Sequence, residues 1–133
     1  MRAMTKTVLF VCVGNSGRSQ MAEAFFNRLS KTWKAISAGT RPDEKIHCYT
    51  VLVMKEVGLE LGRQKPRLLT REIIERADRI IAMGCGIDVF PANYLSKVED
   101  WKTEELYGKP LEEVRDIRDE IEKRVKRLIA ELT

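Results

Sequence analysis

Histidine is almost missing from this chain: His47 is the single one in 133 residues. Without a second imidazole at ligand spacing, His47 supports neither a metal site nor a Cys-His-Asn triad, and it reads as a surface loop residue. Cysteine is scarce as well. Cys12, Cys48 and Cys85 are odd in number and far apart, which excludes a disulfide framework and suits reduced thiols in a cytoplasmic protein. No apolar run is long enough to span a membrane. MRAMTKTVLFVC is too short in its basic and apolar parts to be a signal peptide. Charge of one sign is in small excess, 24 Lys and Arg against 20 Asp and Glu for a net +4, and the two signs interleave in EEVRDIRDEIEKRVKR. That pattern describes solvated helix faces and gives no footprint for nucleic acid. Repeats and low-complexity segments are absent. What remains is one domain, residues 1–133, whose 44% apolar content suffices for a continuous core.

Apolar periodicity divides the chain into strands and helices. TVLFV (7–11) is a continuous apolar run, as in a strand buried on both faces of a parallel sheet. Ala22, Phe25, Phe26 and Leu29 recur at helical spacing and predict a helix from Ser19 to about Leu29. KAISAG (34–39) predicts a second strand. A helix from about Tyr49 to Val57 follows, with Gly58 as its stop. Thr70 caps the helix of TREIIERA, and RIIAM (79–83) is the next strand. A short strand is expected around Tyr94–Val98. After Pro110, apolar residues Val114, Ile117, Ile121, Val125, Leu128 and Leu132 mark a long amphipathic helix. The alternation predicts an α/β fold: a single-domain, open, parallel four-stranded sheet with helices on both faces. Ligands of such sheets collect at the carboxyl ends of the strands, where Cys12 and Cys85 both lie.

Between the first strand and the first helix stands Cys12-Val13-Gly14-Asn15-Ser16-Gly17-Arg18-Ser19. Gly14, Gly17 and Asn15 tolerate unusual backbone angles, so the amides of Val13, Gly14, Asn15, Ser16, Gly17 and Arg18 can all turn inward. That nest, with the helix N-terminus, binds a tetrahedral oxyanion, and Arg18 adds a bidentate guanidinium. The same field, with the Ser19 hydroxyl, favours a Cys12 thiolate poised for in-line attack. The loop lacks the Gly-Lys-Ser/Thr of a Walker loop and the glycine spacing of a dinucleotide fingerprint.

Cys12 to Ser19, continuing into Gln20-Met21-Ala22-Glu23, resembles the C-x5-R-S motif of the low-molecular-weight tyrosine phosphatases and the arsenate reductases that share their fold. SAGT (37–40), VLVMKEVGLEL (51–61), KPRLLT (65–70), ADRIIAMGC (77–85) and DW…GKPLEEVRDIRDEI (100–121) are similar to the thioredoxin-coupled arsenate reductase branch. The resemblance thus covers nearly the whole chain and implies the phosphotyrosine phosphatase I-like fold. It also implies an enzyme that reduces arsenate to arsenite through a Cys12 adduct, discharged by Cys85 as a Cys12–Cys85 disulfide. In that reading Ser19 supports the thiolate, Glu105 or Asp100 protonates the leaving oxygen, and an external thiol, thioredoxin-like or of low molecular weight, restores the enzyme. No resident cofactor or metal is implied. Asn15, Glu23 and Ser37 match a potassium site of some relatives, but Thr70 stands where an acidic partner is expected.

Three departures keep other readings open. Phe90 stands where the reductases carry a third cysteine, Gly17 where many carry a second loop cysteine, and Glu105-Leu106 where the phosphatases carry Asp-Pro. The Cys12–Cys85 disulfide is then resolved by an external thiol directly, or through Cys48, although Cys48, in HCYTVLV at a helix start, reads first as a core or partly exposed structural cysteine. Alternatively, the chain is a phosphatase of phosphotyrosine-like esters with a phosphocysteine intermediate, or an oxyanion-binding regulatory module without turnover. Trp33, Trp101, Tyr94 and Tyr107 are candidates for flanking the cleft, the last two near its expected rim, though aromatic residues in a chain of this size are more often core or edge packing. The partners expected are an arsenate or phosphate oxyanion and either a thioredoxin-like or a phosphotyrosine protein; no nucleic acid and no membrane are implied, and the chain is expected to be a monomer.

Overall fold

Residues 5–133 are described by the computed structural model; Met1–Met4 of the expected 1–133 domain, and with them the start of the segment compared with a signal peptide, lie outside the described residues. Strands β1 (Lys6–Cys12), β2 (Trp33–Gly39), β3 (Arg79–Ala82) and β4 (Val98–Asp100) form one parallel sheet in the order β2-β1-β3-β4. Helices α1 (Arg18–Leu29), α2 (Cys48–Lys55), α3 (Arg71–Arg76) and α4 (Leu111–Leu132) complete the expected α/β architecture.

The apolar run of β1 is explained by its position. Paired on both edges and covered on both faces, Val8, Leu9, Phe10 and Val11 have no exposed surface. Successive side chains point to opposite faces of a strand. Val8, Phe10 and Cys12 accordingly join a core with Met21, Phe25 and Phe26 of α1, Val53 and Met54 of α2, and Ile117 and Ile121 of α4. Leu9 and Val11 join a second core with Ala38, Ile74 of α3, Ile80, Ala82 and Phe90. The α4 spacing does what it predicts, burying Val114, Ile117, Ile121, Val125 and Leu128. Removing one of these, as in Ile121→Ala, costs about 2–5 kcal/mol.

Boundaries hold with small corrections. Thr70 caps α3, its hydroxyl accepting from the Ile73 amide at 3.2 Å. Pro110 directly precedes α4, as its N-cap. The strand expected at Tyr94–Val98 is instead a 3-10 helix, Ala92–Lys97, and β4 begins only at Val98. The Tyr94 amide donates to Pro91 O at 2.9 Å and the Lys97 ammonium to Ala77 O at 2.5 Å, so the segment coils against α3's end before it can extend. Among the described residues no helix is long and apolar enough to cross a membrane.

The order fixes where a ligand goes. From β1 the chain moves to β2 on one side, then returns past β1 to β3 on the other. The crevice of such a sheet opens at the carboxyl end of the strand where that reversal occurs, and here that end is Cys12.

Candidate active site

The loop leaving β1 is shaped by a segment far along the chain. Thr40, Arg41, Asp43 and His47 donate their amides to the carbonyls of Cys12, Val13, Gly14 and Ser16 at 2.9 to 3.1 Å, while Met21 N donates to Gly17 O at 3.0 Å. With those carbonyls engaged, the loop's N–H groups are the ones left for the concavity. One is already aimed at sulfur: Asn15 N donates to Cys12 Sγ at 3.2 Å. Asn15 achieves this at φ 50°, fully buried; that left-handed conformation is one asparagine tolerates.

The Asn15 side chain sets the direction of a relay. Its Oδ1 accepts from Arg67 N at 2.8 Å and from Gln20 Nε2 at 3.1 Å, which leaves Nδ2 to donate to Ser19 Oγ at 2.8 Å. Ser19 Oγ, lying 2.8 Å from Cys12 Sγ, therefore has its own proton to give to the sulfur. Cys12, only 3% exposed, thus receives two donors, an arrangement that serves a sulfur anion.

Arg18 opens α1 and is 6% exposed. Its Nη1 donates to Thr103 O at 3.0 Å and its Nη2 lies 3.6 Å from Glu105 Oε2. The guanidinium rests on Gly84, where any Cβ would collide with it and where φ is +103°. Glycine is obligatory there twice over. Leu106 presses on the loop from the same side: a Cβ at Gly17 would stand 2.5 Å from Leu106 Cδ1. A second loop cysteine there would require the Leu106 side chain to shift.

Above Cys12 lies a cleft of about 850 Å³ lined by the loop 12–18, by Arg41, Pro42, Asp43, Lys45, Ile46, His47 and Cys48, and by Glu105, Leu106 and Tyr107. Two acids line this cleft: Asp43, which accepts from Ser16 Oγ, and Glu105, 64% exposed and facing Arg18. Asp100, the other candidate, is not in its lining; it ends β4 beside Ala82 and its carboxylate accepts from Lys102 N at 3.0 Å. Cys85 is also outside the lining. It is half-buried against the second core, its Sγ 3.2 Å from Gly86 O, the nearer acceptor for its one proton, and 3.7 Å from Val11 O. Burial, with the nearby Cys12 charge second, pushes its thiol up to about 11. His47 is a cleft wall and the cap of α2, its Nδ1 accepting from Tyr49 N at 3.1 Å, and so is more than a surface loop residue. Of the aromatic candidates only Tyr107 reaches the rim; Trp101 is buried against Phe10, and Tyr94 packs on the second core.

Gln20, Arg67, Asp43, Thr103 and Gly84 escaped the sequence reading. Asp43 accepts from Ser16 Oγ at 2.5 Å. Gly84, in MGCG, carried a readable signal, a glycine just past a strand; the others depend on contacts that only folding creates.

Three comparisons bear on this geometry. Glutaredoxin arsenate reductase of Synechocystis is 32% identical over 130 residues, covering 96% of this chain and 99% of that one. A solved low-molecular-weight protein tyrosine phosphatase of T. tengcongensis is 31% identical with a TM-score of 0.86, covering 95% of this chain and 99% of the other. An arsenate reductase solved in the phosphate binding state gives 32% and 0.86, covering 96% and 99%. The family model of low molecular weight phosphotyrosine protein phosphatases matches residues 7–133. With that model spanning nearly the whole chain, its loop at the carboxyl end of β1 included, the chain belongs to the low molecular weight phosphotyrosine protein phosphatase family.

Proposed function

We propose that this protein is an arsenate reductase working without a resident cofactor. The observation that carries the reading is a second thiol, Cys85, just past the carboxyl end of β3 with its Sγ 3.7 Å from the carbonyl of Val11, the residue before Cys12. Cys12 attacks arsenic, one arsenic–oxygen bond breaks, and the departing oxygen leaves as water after protonation by Glu105. Arg18 and the 13–18 amides take the charge on the remaining oxygens. Cys85 then attacks Cys12 Sγ; the sulfur–arsenic bond breaks, its electron pair stays on arsenic as arsenite, and the two sulfurs are oxidised to a Cys12–Cys85 disulfide. An external thiol, either a thioredoxin-like protein or small molecules, returns both electrons.

Arsenite formation from arsenate in thioredoxin, glutaredoxin or glutathione systems is the expected result, lost in Cys12→Ser and in Cys85→Ser. One observation favours a second reading as a phosphate monoesterase: Glu105 stands within 3.6 Å of Arg18 at the cleft, so Cys12, Arg18 and an acid are already complete. Hydrolysis of para-nitrophenyl phosphate that survives Cys85→Ser, with no arsenite in any coupling system, would establish that reading in place of the first.

A further inference from the structure

Asp43 puts a negative charge on the wall of a cleft built for anions. Main chain and side chain together hold it against the oxyanion loop: its amide donates to Gly14 O at 2.9 Å, and its Oδ2 accepts from Ser16 Oγ at 2.5 Å. The fit is so close that a Cβ on Gly14 would collide with the carboxylate. Gly14 and Ser16 both belong to the nest whose amides serve the oxyanion, and Asp43 lines the cleft with them. Among the described residues no lysine or arginine pairs with Asp43, although Arg41 and Lys45 line the same cleft. Ser16 gives its only hydroxyl proton to Asp43, so Ser16 Oγ keeps lone pairs alone. Beside a floor of N–H donors, the wall therefore carries hydrogen-bond acceptors.

We infer that Asp43 selects oxyanions that carry a proton, its carboxylate accepting from the O–H of hydrogen arsenate or hydrogen phosphate seated on the 13–18 amides. A fixed negative charge at this place repels every dianion. An oxyanion with an O–H offsets that repulsion through a charge-assisted hydrogen bond. Sulfate has the same charge and tetrahedral shape as hydrogen phosphate but no proton at neutral pH, so it meets the repulsion and leaves the acceptors unpaired. The dianion of a phosphate ester lacks the proton too. Asp43 thus favours the free oxyanion over the ester, and the ligand's proton stays on the ligand throughout. The inference deepens the proposed arsenate reduction by fixing the form of substrate the cleft accepts, and it rests on that reading for the identity of the oxyanion alone.

The test is the protection of Cys12. Reduced protein is alkylated with iodoacetate at about pH 8, where phosphate and sulfate are both dianions, with each anion titrated at constant ionic strength and Cys12 followed by peptide mass spectrometry. In the wild type, phosphate should protect at about tenfold lower concentration than sulfate, the worth of one charge-assisted hydrogen bond. In Asp43→Asn and Asp43→Ala the ratio should fall to about one, because sulfate gains more than phosphate. Loss of the charge alone strengthens both dianions equally and leaves the ratio where it was, so the ratio separates recognition of a proton from simple repulsion. Equal protection by the two anions in the wild type, protection by neither, or an unaltered ratio in both variants overturns the inference. Arsenite formation is measured on the same protein. Its absence beside a tenfold ratio defeats the reductase reading and leaves the role of Asp43 standing, whereas its presence beside a wild-type ratio of one defeats the inference alone.

Discussion

The oxyanion loop, residues 12–19, and the loop that crosses over it, residues 101–109, differ in how many of their polar groups the fold answers. In the first, four carbonyls are held by amides of residues 40–47, a fifth by α1, and the Asn15 side chain satisfies three neighbours at once. The second touches the site through the Thr103 carbonyl, the exposed carboxylate of Glu105 and the Leu106 side chain. Thr103 Oγ1 is buried with no partner there. A group held by many independent contacts has one geometry, whereas a group held by few can be exchanged at small cost. The geometry of the nucleophile's loop is therefore fixed at each residue, whereas the loop of Glu105 and Leu106 tolerates change.

Substitutions sharpen that contrast. Gly84→Ala should be the most damaging of those compared, because the new methyl displaces the Arg18 guanidinium; a loss of about a hundredfold in kcat/KM is expected for an ångström of misplacement. Gly86→Ala, equally strained in backbone but facing open space, should cost stability alone, about 1 kcal/mol in urea unfolding. Glu105→Gln should lower ester hydrolysis about thirtyfold, below a general acid's usual contribution since its carboxylate is exposed. Asp100→Asn should leave that rate unchanged, and equal losses from both would show that the acid is shared.

Smaller effects follow from the thiols. With Cys85 pushed up to about 11, its reactive anion is a minor species at neutral pH and grows about tenfold per pH unit below that value. Arsenite release in a single turnover should climb accordingly between pH 7 and 9, while ester hydrolysis, which does not use Cys85, should not follow it. A flat profile would mean that attack by Cys85 is not the slow step. Ser19→Ala, which removes one of two donors to Cys12, should slow iodoacetate alkylation about fivefold; an unchanged rate would leave Asn15 N as the only donor that matters.

The fold was legible because its signals are local. TVLFV announces a doubly buried strand, and the spacing from Val114 to Leu128 announces a helix with one apolar face, whatever else the chain contains. Cys12, Arg18 and Ser19 were legible for the same reason, lying within eight consecutive residues. The strand expected at Tyr94–Val98 misled because a tight coil against α3 holds Tyr94 by its hydroxyl on Glu75, a contact no local pattern announces. Arg67 acts on the site through its backbone amide, 52 residues from Asn15, and no side chain type records such a role. The choice between Glu105 and Asp100 depends on which way a loop folds back, a matter of three-dimensional approach.

The engagement of the loop's carbonyls by residues 40–47 bears on how this protein is made. A ribosome releases β1, the loop and α1 well before those amides, and Arg67 emerges later still. Until then the nascent segment has the motif without the cup. A fragment ending near Ser30 should show no affinity for phosphate, and the newborn chain is spared premature chemistry until its second strand has docked.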